Sequence, residues 1–402
     1  MQASALWLPV VWGLGWWLSA WLLETSRVLE QRHISHYLTA AAVVIVLLTS
    51  FALSALARWR DWPQMGKVSV FTLPALVLSA YPGIAGSGDA GMAYLPSAYL
   101  GALAWPLALA WHLRLLKVQE RWVSPALCKA LHILGFWFFL LLASREGQVR
   151  FENLGDPYSS WSLLGWVLVP TLSFWLLSSS LLKNRWPLSE PDGFRHAYLG
   201  IACVPVAIYL LAWCFISNVV SSGNAAPLPY LPILNPLELG QWLVLAALLL
   251  WWRALPDDSS ARLSEIKVKT LAAGLGWFLL TAMVLRSCHH WAGVEWDATA
   301  LFDSRLTQAA LSIAWSIMGV LAMLLGNRRV SRPVWFCGAA LLAVVVLKLF
   351  AVELADRGGL YRIVSFIGVC VLLLVVGYFA PVPVKTSPLL ENQDELMAKD
   401  EA

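Results

Sequence analysis

Charge is scarce in this chain: 13% of its 402 residues are Asp, Glu, Lys or Arg. A soluble chain carries about 25%, so a water-facing shell cannot be built around a core this apolar. The net charge of +4 is spread along the sequence without a basic stripe, which excludes nucleic acid as a partner. Cysteine is also rare. Cys128, Cys203, Cys214, Cys288, Cys337 and Cys370 lie in or beside apolar runs, and none has CxxC spacing. Neither a disulfide framework nor a zinc site follows from them. Phosphate-cradling loops, dinucleotide-binding glycine patterns, GxSxG and HExxH are all missing. No cofactor and no metal are therefore expected.

What is present is apolar. Hydrophobic residues make up 59% of the chain, mean hydropathy is +0.67, and there are 24 tryptophans. A bilayer removes the solvation problem because lipid wets the outside of the bundle. Many tryptophans, among them Trp7, Trp122, Trp161, Trp186, Trp252, Trp291 and Trp335, sit near the ends of apolar runs. There the ring meets lipid and the N–H meets water, so they are read as belt or packing residues and not as a sugar platform.

A crossing helix needs about 20 apolar residues. Suitable runs lie near 5–23, 36–57, 98–116, 125–143, 160–182, 197–220, 237–254, 270–287, 306–326, 333–351 and 361–379, with a shorter one at 68–82. The first lacks the basic flank of a signal peptide and is read as a retained helix. The expectation is an all-α, polytopic transmembrane helix bundle over 1–382, of about 12 spans. An acidic tail, 383–402, is expected to be disordered and cytoplasmic.

Loop charge orients the bundle. With twelve spans, the even connections hold sixteen Lys and Arg and the odd ones eight. The positive-inside rule then places both termini in the cytoplasm of a bacterial inner membrane. A faint internal echo, Gly13-Leu14-Gly15-Trp16 and Gly274-Leu275-Gly276-Trp277, falls in the first and ninth spans.

Ionisable groups inside lipid are costly and point to function. Lys129 and His132 lie about one turn apart in the fifth span, where Lys129 can snorkel to the headgroups. The densest polar segment runs from Arg286 to Asp297 and includes His289, His290 and Glu295. Adjacent histidines do not share a helical face, so they form no HExxH-like metal motif, although either can act as acid or base. With Gln308, Lys348, Glu353 and Asp356 they are expected at the outer membrane face. There they form either a salt-bridge network that locks short loops or a site: His289 or His290 as base, the others binding. A further outer loop, Pro227 to Pro236, has four prolines and reads as a stiff lid whose Leu and Ile residues pack onto the bundle.

Tyr230 to Pro236, Arg286 to Trp296 with its paired histidines, Lys348-Leu349-Phe350, Arg362 to Gly368, and Gly377-Tyr378 together resemble the bacterial predicted membrane proteins grouped as domain of unknown function 2339. The likeness is specific from about residue 225 to 382 and suggests a short member or the C-terminal part of a longer one. It implies a multispan membrane protein and carries no activity with it.

Two functions are weighed. The first is a non-enzymatic envelope protein, scaffolding or transport-related. The second is an envelope enzyme acting on a lipid or glycan at the outer face. The expected partners are the lipid bilayer, with envelope proteins or further copies of the chain beside it.

Overall fold

The computed structural model describes residues 7–85, 94–120, 122–154, 159–189, 194–257, 259–348 and 374. Among these there is no β-strand. The helices are α1 (Trp7–Gln31), α2 (Leu38–Trp59), α3 (Pro63–Val68), α4 (Thr72–Ala85), α5 (Gly101–Gln119), α6 (Pro125–Glu152) and α7 (Ser160–Ser178). They continue with α8 (Ser180–Lys183), α9 (Cys203–Val220), α10 (Pro236–Ala254), α11 (Glu265–Ala292), α12 (Ala298–Asp303), α13 (Arg305–Arg328) and α14 (Arg332–Lys348). A π-helical turn, Ala197–Ala202, leads into α9.

Seven helices among the described residues are long and apolar enough to cross a membrane. They match the expected runs at 36–57, 125–143, 160–182, 197–220, 237–254, 270–287 and 306–326. The described parts of the runs at 5–23, 98–116 and 333–351 fall mostly in α1, α5 and α14, which do not join that set. The short run at 68–82 becomes the last turn of α3, a 3-10 turn and α4, an apolar helical stretch of 17 residues over Met65–Tyr81. The run at 361–379 and the acidic tail lie outside the described residues.

Helix starts follow local chemistry. Ser124, Ser159, Asn235, Asp297 and Ser304 each accept a backbone N–H from the first turn of the helix that follows, satisfying a donor with no intrahelical partner. Proline occupies the first turn of α3, α6 and α10, where its missing N–H costs nothing.

The chain divides into two compact units, Met1–Leu275 and Gly276–Ala402, with the boundary inside α11. In the first unit, Phe174, Leu199, Cys203, Leu210, Leu237 and Val244 form a buried core among α7, the π turn, α9 and α10. A second core joins α2, α4, α5 and α6 through Val43, Leu76, Ala108 and Leu142. Between α6 and α7 small residues set the spacing: a Cβ on Gly165 would lie 2.8 Å from Gln148 Cα. Close backbone approach of this kind is how membrane helices gain contact.

Irregular backbone is compensated by named side chains. Pro170 inside α7 has no N–H for the Trp166 carbonyl, and the Tyr209 hydroxyl donates to that carbonyl instead at 3.3 Å. The π turn displaces its carbonyls from the ordinary ladder. Indole N–H groups reach two of them, Trp251 to Leu199 O and Trp137 to Ala202 O, both at 2.9 Å. Backbone groups in a hydrocarbon setting need such partners.

In the second unit α13 and α14 pack around Met323 and Leu342. Their backbones meet closely: a Cβ on Gly338 would lie 2.5 Å from the Gly319 carbonyl oxygen and 2.7 Å from Met323 Cγ.

Candidate functional site

The Arg286 to Asp297 segment is built around the end of α11. Gly293 adopts φ +70°, and its N–H returns to the His289 carbonyl at 3.1 Å, the left-handed stop that glycine permits. The turn brings Val294 O within 2.6 Å of His289 Nδ1. Because a carbonyl only accepts, Nδ1 carries the proton in this contact. The His290 ring stands edge-on to His289, 4.7 Å between centroids, and Trp296 flanks His289 at 5.8 Å. Arg286, one turn earlier, is fully buried.

Glu295 is exposed in the connection after α11. Asp297 turns its carboxylate onto α12, accepting from Thr299 N at 2.9 Å, Ala300 N at 3.2 Å and the Thr299 hydroxyl. The hydroxyl first, then the two N–H groups, hold its carboxyl below the ordinary carboxylate range.

A second group assembles on α13 and α14. Gln308 donates to Phe302 O at 2.8 Å, and Ser312 donates to Gln308 O at 2.9 Å. Lys348 Nζ reaches both, 2.7 Å from Gln308 O and 2.7 Å from Ser312 Oγ. Below it Trp315 Nε1 donates to Thr281 Oγ1 at 3.0 Å, with the Trp277 and Trp315 rings 5.3 Å apart. So Gln308, Ser312 and Lys348 come together. His289 and His290 gather with Trp296 at the end of α11, and Asp297 serves α12. Glu353 and Asp356 lie outside the described residues.

Two buried polar groups in the first unit go beyond what sequence reasoning assembled, and the first was missed outright. Glu238, in the first turn of α10, accepts from the Tyr230 hydroxyl and from Ile233 N, both at 2.6 Å. Beside it Asn235 accepts Leu237 N at 2.9 Å and donates to Gly223 O at 2.7 Å. One turn deeper Gln241 donates to Ser217 Oγ at 3.0 Å and Asn218 Oδ1 at 3.1 Å. The signal was Asn235-Pro236-Leu237-Glu238, an N-cap followed three residues later by Glu. The proline-rich loop is anchored through these polar ties and the buried Tyr230 ring. Its aliphatic side chains do not pack inward as expected: Leu228, Leu231, Ile233 and Leu234 are exposed. The reason is local, because Ile233 adopts φ +70° while its N–H turns in to Glu238.

The other group surrounds His132, which the sequence picks out beside Lys129 but without its partners. Its Nδ1 lies 2.9 Å from the Tyr198 hydroxyl, and its ring stacks on Phe194 at 4.0 Å. His112 is also buried, with its ring against Gly135. His132 therefore belongs to the interior, while Lys129 is half-buried.

Comparison with curated proteins finds no match, and comparison with solved structures finds none either. A family model does match, over residues 1–383, wider than the C-terminal likeness seen in the sequence. Its description is that of a predicted membrane protein, in keeping with the all-helical apolar chain described above. This chain belongs to that family, domain of unknown function 2339.

Proposed function

We propose that the chain is a non-enzymatic helix bundle of the bacterial inner membrane, with a scaffolding or transport-related role. In this reading it crosses about twelve times and keeps both termini in the cytoplasm. One observation carries the reading. The polar groups most suited to chemistry each hold a helix end or a short connection: His289 closes the turn after α11, Asp297 starts α12, and Gln308 ties α13 to Phe302. A catalytic base needs its lone pair and proton aimed at a cavity. Here the His289 Nδ1–H and the Gln308 amide donate to backbone carbonyls, and the Asp297 carboxylate accepts from the first turn of α12.

Alanine at Arg286, His289, His290 and Lys348 tests this. At normal protein levels each variant is expected to support wild-type growth under envelope stress. Loss of growth together with accumulation of a lipid or glycan intermediate would overturn the reading. Reporters fused after residues 90 and 260 test the topology, with outside and cytoplasmic signals expected respectively.

A second reading has one observation in its favour. Arg286 is fully buried one turn from the histidines, and Lys348 is half-buried. Such cations suit an anionic headgroup, as an envelope enzyme acting on a lipid at the outer face would require.

A further inference from the structure

Two apolar grooves open along the helices of the first unit, and their rims differ in charge. The smaller, about 110 Å³, lies among α9, α10 and the start of α11. Of the four cations beside it, two are paired within the chain: Arg262 with Asp257 at 2.8 Å and Lys269 with Glu265 at 2.6 Å.

The larger groove, about 460 Å³, runs between α1 and α2 and is lined by Leu14, Trp17, Trp21, Leu48, Thr49 and Leu56 among others. Trp17 Nε1 donates to Thr49 Oγ1 at 3.3 Å. That bond fixes the register of the two antiparallel helices, so Trp21 lies towards Ile45 and Leu14 towards Ala52, with Leu56 one turn beyond. The α2 wall from Ile45 to Leu56 spans about 16 Å at 1.5 Å per residue. One leaflet of hydrocarbon is about 15 Å deep. The groove therefore has the length of one acyl chain in one leaflet.

Cations stand just past its Leu56 end. Arg58 and Arg60 follow on α2 and the turn after it, and Lys67 lies on α3, which packs against both α1 and α2. All three are exposed, and among the described residues none makes an ion pair. The Arg60 guanidinium sits 4.5 Å over the exposed Trp59 ring, at headgroup depth for a helix ending there. Asp61 is the single carboxylate between residues 58 and 67.

We infer that the α1–α2 groove binds an anionic phospholipid, with one acyl chain along Leu14 to Leu56 and the phosphate against Arg58, Arg60 and Lys67. Arginine forks match phosphate oxygens, and basic clusters at a membrane face select anionic over zwitterionic lipid. Among the described residues, all three cations beside this groove stand outside ion pairs, against two of the four, Arg253 and Lys267, beside the α9–α10–α11 groove. The site does not depend on which functional reading holds.

The purified full chain is titrated with dioleoyl phosphatidylglycerol or dioleoyl phosphatidylcholine, and bound lipid is counted by native mass spectrometry. One phosphatidylglycerol is expected to bind at least tenfold more tightly than phosphatidylcholine. The double substitution Arg58→Gln, Arg60→Gln is expected to remove that preference. Ala52→Trp, which fills the groove, is expected to weaken both lipids, and Arg253→Gln with Lys267→Gln at the other groove should leave binding unchanged. Equal affinity for the two lipids overturns the inference, as does equal loss in the Arg253 and Lys267 control. If Ala52→Trp leaves lipid bound but dissociates a dimer, the groove is a contact between copies. Photo-crosslinking of wild-type protein with a diazirine-tailed phosphatidylglycerol guards against misfolded variants. Labels are expected within 14–21 and 45–56, and labelling confined to other segments overturns the assignment.

Discussion

The two units handle buried polarity in different ways. In the first, polar side chains meet across long stretches of chain: His132 with Tyr198, Gln119 with Ser69, Gln241 with Asn218. In the second, most reach only a few residues along: His289 to Val294, Asp297 to Thr299, Gln308 to Phe302. Lys348, bonded to Gln308 and Ser312, and Trp315, bonded to Thr281, are exceptions. Long-range pairs in a low-dielectric interior tie helices together and are expensive to break. Local pairs set the shape of a connection and leave the helix packing to apolar contact. A polar group's worth to the fold should therefore track how far along the chain its partner lies and how deeply the pair is buried.

The largest test is at Glu238. Alanine there leaves the Tyr230 hydroxyl and Ile233 N without their acceptor, and both lie in or beside the buried loop anchor. Leaving a buried donor without its acceptor costs about 1–3 kcal/mol. Glu238→Ala is expected to destabilise by about 3 kcal/mol, and Tyr230→Phe by about half that. Thermal unfolding in detergent reads both. Half-buried Lys348 should lose less on substitution by Met than buried Glu238 does on substitution by Ala, although its partners lie 36 and 40 residues away and those of Glu238 only 5 and 8; an equal loss would show that depth of burial does not rank the two.

These two regions also differ in how legible they are in the sequence. The Arg286 to Asp297 cluster is contiguous, so its density shows in the order of residues alone. Its role does not, because capping depends on φ at Gly293 and on which backbone atom each side chain meets. His132 lies in an apolar run, and its partner Tyr198 is brought in by tertiary packing, whereas Glu238 meets Tyr230 and Ile233 of the loop before it only because that loop turns back. Helix positions are legible because apolar length needs no partner. The π turn at Ala197–Ala202 is not, since its stability rests on indoles from α6 and α10. Nor is the outward turn of Ile233, which follows from a single left-handed residue.

Glycines sharpen the comparison with effects of opposite sign. Gly338→Val drives a side chain into the Gly319 carbonyl and the Met323 backbone. Overpacking of this kind costs about 1–3 kcal/mol, and it should separate α13 from α14, read by cysteine crosslinking between them. Gly13 and Gly274 have nothing within 4 Å of an added Cβ. Alanine at either should stabilise by about 0.5–1 kcal/mol, the cost of glycine in a helix interior. The echoed Gly-Leu-Gly-Trp segments then differ in kind from the glycines that hold α13 against α14. A destabilising Gly274→Ala would show a contact at that face that the isolated chain does not make.

A smaller effect is expected at the π turn. Trp251→Phe keeps most of the ring packing against Phe174 and removes the N–H that reaches Leu199 O. A neutral hydrogen bond of this type contributes about 1 kcal/mol net. Hydrogen exchange should quicken over 197–203 while the rest of α9 keeps its protection. Uniform quickening along α9 would mean that the turn is held by packing alone.

The smallest effect is local and depends on pH. Thr299 and Ala300 hold the Asp297 carboxyl below its ordinary range. A depressed folded-state value means that the charged form is favoured by folding. Its contribution is therefore complete above the ordinary carboxylate range and is lost as pH falls through the folded value. Exchange at Thr299 and Ala300 amides, corrected for intrinsic rate, should rise as the solution is acidified through that window. In Asp297→Asn it should not depend on pH there, because the amide oxygen still caps α12 without titrating. Protection in α13 should stay flat in both proteins. A pH response that spread into α13 would show that Asp297 braces the helix pair as Glu238 braces its loop, and the contrast between local and long-range polar contacts would fail at the point where it predicts least.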